Sequence, residues 1–212
     1  MSKFAILLGG DVTPTPRLMH QLDGARVIGA DSGMSHAKPL KLVPELWVGD
    51  FDSTSKELAA QWPNVPRQQH PADKDASDGE LAISEAFRRG ATSLVLVGGL
   101  GGQLDHVLAH AGFLIALAQR GMEAFMTSGL EEARGLVDEM KFTDLKSGTR
   151  LSVMPFTDLI GLDITGVKWP LKNKTVKLGT AYTLANVVEG KVDITLRAGS
   201  ALVLTYPGFT HG

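Results

Sequence analysis

Seven aspartates of this 212-residue chain fall where chemistry could use them: Asp31, Asp50, Asp52, Asp73, Asp75, Asp78 and Asp105. They lie in four short segments: Ala30-Asp31-Ser32-Gly33, Gly49-Asp50-Phe51-Asp52-Ser53, Asp73-Lys74-Asp75-Ala76-Ser77-Asp78, and Gly98-Gly99-Leu100-Gly101-Gly102-Gln103-Leu104-Asp105-His106. Aspartate holds its carboxylate close to the backbone, so these are rigid oxygen donors. Crowded carboxylates repel one another unless cations or hydrogen-bond donors neutralise them. The chain has no cysteine, which excludes disulfides, thiolate nucleophiles and thiolate zinc sites. Rigid oxygens without sulfur suit Mg²⁺, which takes oxygen ligands and keeps waters and substrate phosphates. The Gly98–Gly102 run adds backbone N–H groups able to approach phosphate at a helix start. It lacks the Gly-x-x-x-x-Gly-Lys-Ser/Thr pattern of a P-loop.

Each segment alone has a plainer reading. Asp31-Ser32-Gly33 reads equally as a turn and helix N-cap. In Gly49–Ser53, an extended backbone would point both carboxylates one way and turn Phe51 into the core, and a simple turn is the other reading. Ser77 or Asp78 ahead of Leu81 makes a good helix start beside a solvated charge run. His106 and His110 have the spacing of a two-histidine metal clamp, but the Glu of the zinc-protease motif is missing. His106 is therefore expected at a helix start near the site, and His110 as a capping or packing residue. The four segments together are much harder to explain as turns.

The elements that must hold these residues are legible from periodicity. Lys3–Leu8, Ala25–Gly29, Leu46–Val48, Ser93–Val97 and Ala124–Met126 are short apolar runs that end in Gly, Asp or Ser. Between them, Asp78–Arg89 and Leu104–Arg120 carry apolar residues at helical spacing. Strand and helix in alternation predict a parallel sheet with helices on both faces, with ligands at the carboxyl ends of the strands. From Leu145 onward only short alternating stretches remain: Leu151–Pro155, Thr175–Leu178, Lys191–Leu196 and Ala201–Tyr206, broken by Asn173, Gly179, Gly190 and Gly199.

Charge shifts at the same place. Residues 145–212 hold eight bases against four acids, a net of +4, while residues 1–144 carry −6. Two domains are predicted, 1–145 and 146–212, joined near Lys146-Ser147-Gly148. Some sixty residues of sheet bury little surface alone, so an oligomeric partner is expected. The composition is 43% hydrophobic, too apolar for disorder. No run approaches the ~20 apolar residues of a membrane span. The apolar run at the start is too short for a signal peptide. A net charge of −2 does not suit a nucleic-acid binder. A soluble cytoplasmic protein is expected.

The ordered motifs resemble those of the thiamine pyrophosphokinase family. That family is similar in carrying Ala-Asp-Ser/Gly-Gly, Gly-Asp-Phe-Asp-Ser, Asp-x-Asp-x-Ser/Thr-Asp and Gly-Gly-Arg-x-Asp-His, which Ala30–Gly33, Gly49–Ser53, Asp73–Asp78 and Gly101–His106 follow in order. Gly166-Val167-Lys168-Trp169-Pro170-Leu171 resembles its Gly-Leu-Lys-Trp-x-Leu segment, and Ala185-Asn186 its Ser-Asn pair. The likeness covers nearly the whole chain. It implies a Rossmann-like α/β domain followed by a small all-β sandwich. It further implies a homodimer with active sites between subunits, and Mg²⁺-dependent transfer of pyrophosphate from ATP to thiamine with release of AMP.

Under that resemblance Asp50, Asp52 and Asp78 would hold Mg²⁺, and Asp73 or Asp75 would orient or deprotonate the thiamine hydroxyl. Gly9, Gly10, Asp31, Ser32, Gly33, Lys74, Gly98, Gly99, Gly101 and Gly102 would surround ATP. Gln103, Asp105, His106, Trp169 and Asn186 would meet thiamine, whose thiazolium cation suits an acidic pocket and an aromatic face. Trp169 reads otherwise as a core residue in a strand, and Asn186 as a left-handed loop residue. Two positions depart from the family. Gln103 replaces an Arg and with it a bidentate phosphate donor, and Ala185 replaces a Ser hydroxyl. A related pyrophosphokinase on another alcohol, such as a hydroxymethyl pterin, and a catalytically weakened sensor of thiamine or nucleotide are the alternatives.

Overall fold

In a computed structural model of the chain, residues 2–52, 54–70 and 77–208 are described. Ser53, Asp73, Lys74 and Asp75, with the roles expected of them, lie outside the described residues. The chain divides into two compact units, residues 1–107 with 126–129, and residues 108–125 with 130–212.

The first unit runs β1 (Lys3–Leu7), α1 (Pro16–Leu22), β2 (Arg26–Ala30), a 3-10 turn over Asp31–His36, β3 (Leu46–Gly49), α2 (Lys56–Gln61), β4 (Arg67–Gln69), α3 (Asp78–Arg88) and β5 (Ser93–Val97). β1 pairs in parallel with both β2 and β5, β2 with β3, and β3 with β4. The order is therefore β5-β1-β2-β3-β4. Phe4, Ala5, Ile6 and Leu7 of β1 and Leu94, Val95, Leu96 and Val97 of β5 are all buried, as continuous apolar runs in parallel sheets are. The chain steps outward from β1 to β4 and then returns to the far side of β1 as β5. Such a reversal opens a crevice at the strand ends, where ligands gather.

Local chemistry fixes the helix starts. The Thr15 hydroxyl accepts from the Leu18 N–H (3.1 Å) with Pro16 in the first turn of α1. At α3 the Ser77 hydroxyl accepts from the Glu80 N–H (3.3 Å), while the Ser77 N–H donates to the Glu80 carboxylate (2.7 Å). That is a capping box, and it settles on Ser77 the helix start for which the sequence offers Ser77 or Asp78.

In chain order there follow α4 (Leu104–Gln119) and β6 (Glu123–Thr127), then β7 (Glu132–Leu136), β8 (Glu139–Phe142), β9 (Arg150–Pro155), β10 (Leu159–Val167), β11 (Leu171–Val176), β12 (Asn186–Ala198) and β13 (Ala201–Thr205). The pairings among β7 to β13 are antiparallel: β13 lies between β7 and β9, and β12 pairs with β8 and β10 and, at its first residues, with β9. β11 pairs with β10. Leu151, Val153, Leu162, Ile164, Val192 and Ile194 belong to one buried core. Most of α4 also belongs to this second unit, because Gly135 of β7 lets the helix backbone close in: a Cβ there would overlap the Leu114 carbonyl.

Several sequence expectations are corrected here. The strand expected over Thr175–Leu178 is β11, ending at Val176; beyond it the Asp158 carboxylate accepts from the Leu178 N–H (2.9 Å) and pairs with Lys177 (2.7 Å), which turns the chain. The stretch from Asn186 through Gly190 is not a turn but the start of the thirteen-residue β12. β7 and β8 show that antiparallel structure begins before Lys146. No helix among the described residues is long and apolar enough to cross a membrane.

Candidate active site

Parallel pairing places the loops after β1, β2, β3 and β5 at one edge of the first unit's sheet, and glycines let them touch. A Cβ on Gly33 would overlap the Leu7 carbonyl oxygen at the end of β1. One on Gly10 would overlap the Gly98 carbonyl and lie 2.8 Å from that of Gly101. Gly9 faces Ser32, with a Cβ position 2.6 Å from its hydroxyl oxygen, and Gly49 faces Asp31, with a Cβ position 3.3 Å from its Cα. Gly98 is buried at φ 78°, and Gly101 and Gly102 are exposed at φ 88° and 81°, a backbone path that side chains rarely follow. Gly99 packs on Met126 and is buried.

The acidic residues take specific conformations within these loops. Asp31 opens the 3-10 turn at φ 43°, and its carbonyl accepts from the Trp47 indole N–H (2.9 Å). It is not an N-cap; that position is Ala30, which has no side-chain cap. Asp50 and Asp52 are joined by the Asp52 N–H donating to Asp50 Oδ1 (3.0 Å). Between them Phe51 sits at φ 64°, so this segment is a tight turn and not the extended backbone expected. Phe51 is half-buried, its ring meeting Trp47 edge-on with centroids 5.2 Å apart. Asp78, half-buried, is the first residue of α3. At the start of α4, Gln103, Asp105 and His106 are exposed, with the His106 N–H donating to Asp105 Oδ1 (2.9 Å); His110 is buried, a packing residue.

His36, which sequence reasoning missed, joins two of the loops: its Nε2 donates to the Gly10 carbonyl (2.9 Å). Burial pushes its pKa below the ordinary histidine range, against the opposing effect of the Gly10 and Leu8 carbonyls and Asp11. The ring is then neutral at pH 7, with Nε2 carrying the proton.

The donors present fit Mg²⁺. Among the described residues no three His, Asp or Glu side chains gather into a metal-holding group. Asp50 and Asp52, however, present paired carboxylates from one hydrogen-bonded turn. Mg²⁺ is commonly held by only one or two protein carboxylates, with waters and substrate phosphates completing its shell.

In the second unit Trp169 and Asn186 come together. The Trp169 N–H donates to Asn186 Oδ1 (3.1 Å), and Asn186 Nδ2 donates to the Trp169 carbonyl (2.8 Å). Trp169 lies in the bend between β10 and β11, not in a strand, and is 55% exposed, so it is not a core residue. The left-handed residue is Ala185 (φ 59°), not Asn186. Lys168, Trp169, Leu171, Tyr182, Leu184 and Asn186 line a cavity of about 430 Å³, and the Lys168 ammonium stands 5.0 Å from the Trp169 ring centre. Tyr182 and Leu184 carried no motif that would have marked them in the sequence.

Two family models match the chain. The thiamin pyrophosphokinase catalytic domain matches residues 20–126, and the thiamin pyrophosphokinase vitamin B1 binding domain matches residues 139–201. A thiamine pyrophosphokinase of Bacillus subtilis is 26% identical over 195 residues, covering 88% of this chain and 89% of that protein. The crystal structure of the thiamine pyrophosphokinase from Bacillus subtilis superposes with a TM-score of 0.85 at 22% identity, covering 97% of this chain and 99% of that one. A thiamin pyrophosphokinase family protein from Enterococcus faecalis gives 0.80 at 23% identity, over 97% and 99% of the two chains. Yeast thiamin pyrophosphokinase gives 0.78 at 14%, over 97% and 86%. Likeness at these identities speaks for the fold: a sheet with helices, followed by a second, β part.

Proposed function

We propose a residue-level account of catalysis for this chain, which belongs to the thiamin pyrophosphokinase family. The reaction transfers the pyrophosphoryl group of ATP to the hydroxyl of thiamine. The hydroxyl oxygen attacks the β-phosphorus in line, the new O–P bond forms as the bond from the β-phosphorus to the α-phosphate bridging oxygen breaks, and AMP leaves with that oxygen. The observation that carries the residue assignment is the meeting of four strand-end loops, Gly9-Gly10, Asp31–Gly33, Gly49–Asp52 and Gly98–Gly102, at one sheet edge.

The barrier in such a transfer lies in positioning and in charge on the phosphate oxygens. Gly9, Gly10, Ser32, Gly33, Gly98, Gly99, Gly101 and Gly102 give the polyphosphate a backbone surface it can approach closely, with Asp31 near the nucleotide and Lys74 as a phosphate partner. Asp50 and Asp52, with Asp78 as a third carboxylate, would hold Mg²⁺. When bound, that ion supplies Lewis-acid polarisation of the phosphoryl oxygens. Asp73 or Asp75 takes the hydroxyl proton. Gln103, Asp105 and His106 flank the acceptor, and Trp169, held through its backbone by Asn186, offers the thiazolium an aromatic face. Family membership favours thiamine over another alcohol.

The functional halves of the reading are 1–145, an α/β catalytic part of Rossmann-like type, and 146–212, a β-sandwich part contributing to the thiamine site. The working form is a cytoplasmic homodimer with its active site between subunits. Phosphorus NMR of the purified protein with ATP, thiamine and Mg²⁺ tests the reaction. The expected result is AMP and thiamine diphosphate, formed only when both thiamine and metal are present. AMP without thiamine would make the protein a nucleotide hydrolase instead.

A further inference from the structure

We propose that Trp47 is a positioning residue that sets the Asp31 loop and the Asp50–Asp52 turn against each other; this rests on the catalytic reading above. Trp47 lies in β3, two residues before Gly49, and is fully buried. Its backbone does ordinary strand work, pairing with Gly29 of β2 and Arg67 of β4. Its side chain does something the strand does not need. The indole N–H donates to the carbonyl of Asp31 (2.9 Å), a residue held at φ 43°. The ring receives Phe51 edge-on, 5.2 Å between centroids and 81° between planes. Phe51 is the left-handed residue, φ 64°, that bends the chain between Asp50 and Asp52.

Two non-glycine residues in the left-handed region, in two acidic loops, thus lean on one side chain. Such backbone is unfavourable for a side-chain-bearing residue and persists only where the surroundings hold it. Arg67 completes the arrangement. The register places it opposite Trp47, and its guanidinium stands 4.9 Å from the Trp47 ring centre and 5.5 Å from that of Phe51. Arg67 Nη2 also donates to the Ala59 carbonyl of α2 (3.3 Å), which keeps the cation over the rings. Gly49 allows the last contact, because a larger residue would press on Asp31 Cα. The edge-to-face pair and the stacked cation are attractive in themselves. Their functional consequence is that the carboxylates of the two loops are aimed before any substrate arrives.

Trp47→Phe tests this, since it leaves a six-membered ring for Phe51 and Arg67 and removes the five-membered part of the indole with its N–H. Trp62→Phe is the control: Trp62 ends α2, and its buried indole nitrogen has no hydrogen-bond partner among the described residues. The expected result for Trp47→Phe is a kcat lower by about 10-fold, with the KM for thiamine within about twofold, as misaimed catalytic groups give. Mn²⁺ binding, followed by electron paramagnetic resonance with a non-hydrolysable ATP analogue, is expected to weaken by about 10-fold, the scale for lost outer support of a metal ligand. Trp62→Phe keeps wild-type values. Wild-type kcat and Mn²⁺ affinity in Trp47→Phe, or equal losses in Trp62→Phe, overturn the proposal. If Trp47→Phe is unfolded at the assay temperature, Arg67→Met decides: a fall of about threefold in kcat and Mn²⁺ affinity supports the stacked arrangement, and wild-type values overturn it. A wild-type protein that forms no thiamine diphosphate sinks the catalytic reading instead, and the Mn²⁺ titrations then still decide the role of Trp47.

Discussion

Asp50 plays two parts that a single substitution can separate. One of its oxygens accepts the Asp52 N–H and shapes the turn, and its charge is available to a cation. Asn in its place keeps an acceptor oxygen and loses the charge. Asp50→Asn is therefore expected to retain the wild-type melting temperature while kcat falls by at least about 100-fold, the scale of losing one preorganised electrostatic group. Calorimetry and AMP release measured side by side check this; a melting temperature that drops along with kcat would mean the turn, not the charge, had been lost. The aspartates were legible in the sequence because carboxylates cluster visibly among glycines. His36 and Trp47 were not, since each acts on a backbone carbonyl, 26 and 16 residues away in the chain, and a carbonyl leaves no mark on residue type.

At the scale of elements, close approach and ion pairing set the tolerances. Gly33 sits where any Cβ would overlap the Leu7 carbonyl of β1, and backbone in a buried strand has nowhere to go. Gly33→Ala is expected to destabilise the protein by about 3 kcal/mol, read from denaturant unfolding. The other end of α3 is fixed by Glu85, 5% exposed, which accepts from Arg88 (2.7 Å) and Arg89 (2.6 Å), while Arg89 also reaches Glu45 (2.8 Å) and Glu45 accepts from Arg26. The hydrogen bonds from Arg88, with those from Arg89, hold the Glu85 pKa down to about 2 from its ordinary 4.5. A carboxylate with a depressed folded-state pKa stabilises the protein above its unfolded value and loses that contribution as it is protonated. Stability should thus fall between pH ~4.5 and ~2, and Glu85→Gln should flatten the fall while costing about 2 kcal/mol at pH 7; melting curves across that range measure both. β1 and β5 were readable from apolar runs, and the start of α3 from Ser77 and Asp78 ahead of Leu81. β4, Arg67-Gln68-Gln69, was not, because a short strand of polar residues carries no periodic signal. β12 was only partly readable, since Gly190 inside it imitates a break.

At the scale of the molecule, the shift in charge near Leu145 is a property of the sequence, yet compactness follows contacts. The second unit takes in most of α4 as well as β7 and β8, through an approach at Gly135 that no composition reveals. The β part leaves Trp169, Leu178 and Tyr182 each more than half exposed, and Met154, Ile160 and Leu184 more than 40% exposed. Large side chains in such number on one small β part favour association. Sedimentation at micromolar concentration is expected to give twice the chain mass, with a Tyr182→Glu variant shifting toward the single chain; a wild-type protein sedimenting as one chain would remove the homodimer. Of the three tryptophans, Trp47 is sealed in the first unit, Trp62 is partly covered, and Trp169 stands open beside the Lys168 ammonium. The chain thereby carries its own optical reporter. A dissolved collisional quencher strikes chiefly the indole at the cavity of the second unit, so light emitted from that one ring registers whatever comes to rest there, with no label attached.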